Sequence, residues 1–254
     1  PPRSTLFPYT TLFRSVQGRT FAQVLDLVRD RAQGWTEARA LGVIQRVLEA
    51  MAYAHGKGVL HRDLKPANVM VGAFGEVYVM DWGLARVVGA ADRRDIRLRS
   101  GQTDPGDRVA SDRAERREAD PRSSLLTMDG QVVGTPAYMP PEQAAGRIEE
   151  VGPHSDVYAV GAMIYHLLAG HPPYSGARGD AVDVWRGVQA GPPAALAGSA
   201  PSELVAICEK AMARDWQARY RDTREMAQDV SAYLEGRVVH AHETGALAEA
   251  RKWV

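Results

Sequence analysis

Apolar residues recur at three- and four-residue steps through Leu41, Ile44, Leu48 and Met51, with His55 completing the same face. This spacing predicts a long amphipathic helix, capped by Thr36 and ended by Gly56 and Gly58. A shorter helix is expected from Thr20 to about Arg31, with Gly34 as its breaker. The rhythm then changes. Residues 68–71 and 77–80 read as short strands joined by a Gly-containing turn, which would present Asn68 and Asp81 from neighbouring positions. From residue 86 to about 124, arginine and aspartate alternate with glycine, serine and proline, and large apolar residues are few. Such a stretch cannot bury enough surface to offset its ordering entropy, and it is read as a mobile insertion. Order resumes at Gln131, and Pro140-Pro141-Glu142 opens a short helix. Ser155 is expected to cap a helix over 157–169 whose apolar residues point in every direction, as a central buried helix requires. After the turn His171-Pro172-Pro173-Tyr174, three further helices are predicted near 180–189, 202–213 and 223–235. Residues 237–254 are polar and read as a tail or linker, and no internal repeat is found.

Composition narrows the function classes. The 254 residues carry 31 Lys and Arg against 31 Asp and Glu, so the balance suggests neither nucleic acid nor a membrane surface. A single cysteine, Cys208, rules out an intramolecular disulfide and fits a reducing, cytoplasmic setting. Helical spacing groups Cys208 with Leu204, Ile207, Ala211 and Met212, so it reads as a small buried hydrophobe. No apolar stretch is long enough to span a bilayer. Residues 1–15 show no periodicity and fit nothing downstream. They are read as non-native sequence and set aside.

The chemistry is concentrated in His61-Arg62-Asp63-Leu64-Lys65-Pro66-Ala67-Asn68 and in Asp81-Trp82-Gly83, thirteen residues further on. Phosphoryl transfer needs in-line placement of a hydroxyl and neutralisation of phosphate charge, with little covalent work for the protein. Asp63 can accept or orient a hydroxyl proton, and Lys65 can reach a transferred phosphate. Asn68 and Asp81 offer the hard oxygen ligands that Mg²⁺ prefers. Gly83 lets the backbone turn sharply away from Asp81.

These runs carry a resemblance. His61 to Asn68 resembles the protein-kinase catalytic loop HRDLxxxN, and Asp81-Trp82-Gly83 resembles DFG with Trp for Phe. Gly134-Thr135-Pro136-Ala137-Tyr138-Met139-Pro140-Pro141-Glu142 resembles the end of an activation segment. Ser155-Asp156-Val157-Tyr158-Ala159-Val160-Gly161 resembles the central C-lobe helix. Arg214 to Tyr220 resembles the segment whose arginine pairs with the APE glutamate. The match covers about residues 16–236 and looks closest to bacterial serine/threonine kinases of the eukaryotic-like type.

The resemblance implies a protein kinase-like α+β fold: a mainly α-helical C-lobe with short β-hairpins around the catalytic loop. It implies ATP and Mg²⁺ as cofactors and protein Ser/Thr hydroxyls as substrate. Asp63 would be the base, Lys65 would contact the γ-phosphate, and Asn68 and Asp81 would bind the metal. Thr135 would bond Asp63 and Lys65. Glu142 and Arg219 would pair, Asp156 would brace the loop, and His61 would pack. Arg62 would answer an activation-segment phosphate, for which Thr127 is preferred by position, ahead of Ser123 and Ser124. A dimer of the parent would permit trans-autophosphorylation.

Departures from the pattern matter too. Trp82 is bulkier than Phe but still apolar. No glycine-rich loop, strand lysine or partner glutamate precedes Val16, so the N-lobe β-sheet is expected to be absent and the chain inactive alone. The parent is allowed a membrane anchor beyond Val254. Two other readings compete. One is a non-enzymatic C-lobe that binds partners through the apolar surface left uncovered. The other is a small-molecule phosphotransferase of the aminoglycoside type, against which residues 134–142 and 155–161 argue.

Overall fold

The computed structural model describes residues 18–87, 136–175, 180–196, 198 and 200–242. Among the described residues the chain forms seven α-helices. The first strand, β1 (Gly18–Thr20), leads directly into α1 (Phe21–Arg29). Thr20 ends one and caps the other: its hydroxyl accepts the Gln23 N–H, and the Gln23 side chain accepts the Thr20 N–H in return. Thr36 caps α2 (Glu37–Gly56) through the Arg39 N–H. Leu41, Ile44, Leu48 and Met51 are all buried, so the face predicted from spacing is the one that meets the core.

Short strands connect the helices near the loop that carries the chemistry. β2 (Val59–Leu60) pairs with β5 (Arg86–Val87), while β3 (Val69–Gly72) and β4 (Val77–Val79) form an antiparallel hairpin with β1 on its far side. Asn68 differs from expectation. It lies in a one-turn 3₁₀ helix, Pro66–Asn68, rather than in a strand. Pro66 explains this, because its fixed φ and missing N–H suit the first position of a helical turn.

The remaining helices are α3 (Pro141–Ala144), α4 (Pro153–Ala169), α5 (Ala181–Ala190), α6 (Ser202–Ala211) and α7 (Thr223–Leu234). α4 is buried on every side from Ser155 to Tyr165 and packs against α1, α2, α6 and α7. Its N-cap is Gly152, not Ser155. Pro153 at the first helical position starts the helix earlier, so Ser155 falls inside the first turn, where its hydroxyl accepts the Gly152 N–H. At Gly161, α4 meets α6 so closely that an added Cβ would stand 2.7 Å from the Ala211 Cβ and 2.9 Å from the Met212 Cγ. Gly161→Ala is therefore expected to destabilise the fold by about 1–3 kcal/mol through overpacking, read by urea denaturation. An unchanged midpoint would mean that the two helices separate without cost. Cys208 is buried at the same contact and directs its thiol at the Gly161 carbonyl, and burial pushes its pKa well up.

α5 is tied at its middle and at its C-terminal end. Trp185 and Gln189 both donate to the Ala144 carbonyl at the end of α3, at 3.1 and 2.8 Å. Arg214 donates to the carbonyls of Val188, Gln189 and Gly191, closing the C-terminus of α5.

Past α7 the chain does not leave the domain at residue 237, where a polar tail was expected. Val239 is buried, and the buried carboxylate of Asp229 accepts the N–H groups of His240 and Ala241 at 2.8 and 2.9 Å. The Tyr220 hydroxyl donates to the same carboxylate at 2.8 Å. Three donors satisfy a charge that would otherwise be costly to bury.

Candidate active site

The loop after β2 holds a strained backbone. Arg62 has φ +69°, in the left-handed region that costs an L-residue about 1–2 kcal/mol. Such a conformation persists only where its surroundings over-determine it. Asp156, buried in the first turn of α4, supplies much of the constraint. Its Oδ2 accepts the His61 N–H and its Oδ1 accepts the Arg62 N–H, each at 3.0 Å. The Oδ2 also lies 2.8 Å from His55 Nε2, and His55 Nδ1 is 3.4 Å from the Thr223 hydroxyl. From the other side, the Gln143 amide donates to the Arg62 carbonyl at 3.0 Å.

His61 is fully buried and links two loops. Its Nε2 lies 3.0 Å from the Met80 carbonyl, and its Nδ1 accepts the Asp63 N–H at 3.3 Å. Both bonds form together only with a neutral ring carrying its proton on Nε2. The ring stands 4.6 Å from the Trp82 ring. Trp82 is partly exposed, and its indole N–H donates to the Val79 carbonyl at 3.0 Å, an option that phenylalanine lacks.

Asp63 and its neighbours converge. Lys65 Nζ is 2.8 Å from Asp63 Oδ2, and Asn68 Nδ2 is 3.1 Å from the same oxygen and 2.8 Å from the Asp63 carbonyl. Among the described residues, Asp63 Oδ1 and the Asn68 amide oxygen make no hydrogen bond. In the hairpin, Val69 faces Val79, and the Met80 N–H donates to the Asn68 carbonyl at 2.8 Å. Asn68 thus sits across from the residue before Asp81. Asp81 is exposed and left-handed, with φ 59° and ψ 66°, and its Oδ1 accepts the Gly83 N–H at 3.4 Å. A Cβ at Gly83 would crowd that oxygen at 3.1 Å. Among the described residues, no three His, Cys, Asp or Glu side chains form a group that could hold a metal ion by themselves.

Behind the loop, Glu142 and Arg219 make a buried bidentate pair, with both bonds at 2.9 Å. Ser155 donates to Glu142 Oε1 at 2.7 Å. The guanidinium also reaches the carbonyls of Ala213 and His154 and lies over the Tyr158 ring. Burial alone would push the Glu142 carboxyl up, but the Arg219 bonds and charge, with Ser155, outweigh it and hold it below the usual value. Nearby, the Tyr138 hydroxyl lies 2.7 Å from His166 Nδ1. Burial lowers His166 to about 4, and the direction of this bond follows the tautomer of the ring.

Thr127 and Thr135, with Ser123 and Ser124, lie outside the described residues, as does the expected insertion from residue 88 onward. Gln143 was missed by the sequence reading. Its only signal was its place directly after Pro141-Glu142.

The model of the family described as protein kinase domain matches residues 10–105 and 111–229. The chain belongs to the protein kinase domain family. The match runs through most of the stretch read as an insertion, breaking only at 106–110. A serine/threonine-protein kinase, PknD, of Protochlamydia amoebophila is 32% identical over 242 residues, covering 90% of this chain and 22% of that protein. A "Probable serine/threonine-protein kinase PknB" of Bifidobacterium longum is 32% identical over 232 residues, covering 91% of this chain and 28% of that protein. A PknD kinase of Chlamydia abortus is 28% identical over 240 residues, covering 92% of this chain and 24% of that protein. These relatives are all named as bacterial serine/threonine-protein kinases. The chain spans roughly a quarter of the length of these relatives. No helix among its described residues is long and apolar enough to cross a membrane.

Proposed function

We propose that this kinase chain transfers the γ-phosphate of ATP to serine and threonine hydroxyls of proteins, with residues 16–236 forming the C-lobe of the catalytic domain. The observation that carries the reading is the convergence of Lys65 Nζ and Asn68 Nδ2 on one oxygen of Asp63, on a loop braced by Asp156. That arrangement orients the carboxylate and leaves its second oxygen to take a hydroxyl proton. Lys65, 2.8 Å from Asp63 Oδ2, would meet the transferring phosphoryl group in this reading.

The donor set suits Mg²⁺ carried in with a nucleotide. Magnesium is usually held by one or two protein oxygens together with phosphates and water, not by a full protein cage. Asn68 spends its amide nitrogen on Asp63 and so offers its oxygen. Asp81, across the hairpin, offers an exposed carboxylate whose Oδ1 accepts the Gly83 N–H at 3.4 Å. When bound, the metal neutralises charge on the phosphates. In this reading a second lobe of the domain supplies the glycine-rich loop and the strand lysine that hold the nucleotide, and the 254 residues alone are expected to transfer little phosphate. Phosphorylation at Thr127 answered by Arg62, a bond from Thr135 to Asp63, a dimer for trans-autophosphorylation and a cytoplasmic site of action belong to the same proposal.

The test is transfer of radiolabelled γ-phosphate by the full-length protein to myelin basic protein or casein in the presence of Mg²⁺, followed by phosphoamino-acid analysis. Phosphoserine and phosphothreonine are expected. Label on tyrosine alone, or none, would overturn the reading. A second reading, a binding module, is favoured by one observation. Tyr78, Met80 and Trp82 are exposed along the edge of the site, and a partner could cover them.

A further inference from the structure

We infer that Gln143 is a positioning residue for phosphoryl transfer, clamping the Arg62 carbonyl so that Asp63 keeps its orientation; this rests on the kinase reading above. The Arg62 peptide is held at each end by a different element. Asp156 on α4 takes the N–H groups of His61 and Arg62, but a carboxylate cannot hold a carbonyl. The Arg62 carbonyl is held by Gln143 Nε2 on α3. Removing either hold frees one end of a peptide whose residue sits at φ +69° and directly precedes Asp63. The amide orientation follows from the chemistry, because an oxygen turned toward the Arg62 carbonyl would repel it. Gln143 Oε1 is buried and has no hydrogen-bond partner among the described residues. The side chain therefore costs desolvation on one side, and what it contributes is the donor on the other.

The place of Gln143 in the chain supports the clamp. Its neighbour Glu142 is locked by Arg219 and Ser155, so α3 has a fixed seat from which the Gln143 amide reaches the Arg62 carbonyl.

The experiment compares Gln143→Leu, which keeps the volume and loses the donor, with Gln143→Glu, which sets a carboxylate against the carbonyl. In the full-length kinase, kcat is expected to fall about ten-fold in the first and further in the second, with KM for ATP and melting temperature nearly unchanged. In the 254-residue chain, amide exchange at Arg62 and Asp63 is expected to quicken about ten-fold in both variants. Loss of melting temperature with kcat per folded molecule preserved would overturn the inference and make Gln143 a stability residue. Unchanged exchange would overturn it as well. A parent protein that transfers no phosphate at all would defeat the kinase reading instead, while the exchange measurement still decides whether the clamp exists.

Discussion

Arg219→Met is expected to destabilise the domain by about 3–5 kcal/mol, enough to unfold many domains of this size at physiological temperature. The reason is less the lost attraction than what remains. Glu142 is buried, and without Arg219 its carboxylate would keep the Ser155 hydroxyl but lose its opposite charge. The carbonyls of Ala213 and His154 would lose their donor in the same step. The double replacement Glu142→Leu with Arg219→Met removes both charges and is expected to recover much of the loss, as buried ion pairs replaced by apolar groups often do. Urea denaturation of the two single variants, the double variant and the unchanged chain closes the cycle. A single variant within about 1 kcal/mol of the unchanged chain would show that the pair is not what holds α3 against α4.

The same pair sets a pH dependence. Glu142 titrates lower folded than unfolded, where its value is near 4.5, so the unfolded chain binds the proton more tightly. Its contribution is fully present above the unfolded value, including at neutral pH. It is lost as pH falls through the lower folded value. The stability difference between the unchanged chain and the double variant should therefore shift against the unchanged chain only in acid.

Asp63→Asn in the full-length kinase is expected to lower kcat by about 10²–10⁴ with little change in melting temperature. The substitution removes the carboxylate proposed to accept the proton, and with it the charge that Lys65 Nζ meets at 2.8 Å. It keeps a carbonyl oxygen for Asn68 and leaves Asp156 holding the loop backbone. Steady-state phosphate transfer, with melting measured alongside, separates the two effects. Turnover near that of the unchanged enzyme would remove Asp63 from its proposed role, since an amide cannot take up the hydroxyl proton.

Local signals in the chain were enough for much of this picture. Thr20 and Thr36 cap helices because a threonine before an apolar period has a local mechanism. The face from Leu41 to Met51 is buried because its spacing leaves no other face to bury. Asp63, Lys65, Asn68 and Asp81 stand at spacings that one loop and one hairpin bring together. Other features had no local signal. Ser155 is as plausible a cap as Gly152 until Pro153 is seen to start the helix. Gln143 acts on Arg62 across 81 residues, and Asp229 acts on residues 240 and 241 beyond its own helix. A single polar side chain with a distant backbone partner leaves no periodicity and no composition bias. The left-handed backbone of Arg62 is likewise invisible, since arginine has no preference for that region and is held there from outside.

The latch on Asp229 also bears on how force would travel through the molecule. Tension applied at residue 242 would not simply unravel the end of α7. It would first load two backbone hydrogen bonds on one carboxylate that Tyr220 holds from within. The mechanical anchor of the C-terminal end is thus a side chain one to two turns back inside the helix, and the six residues after Gly236 behave as part of the body they would otherwise tether.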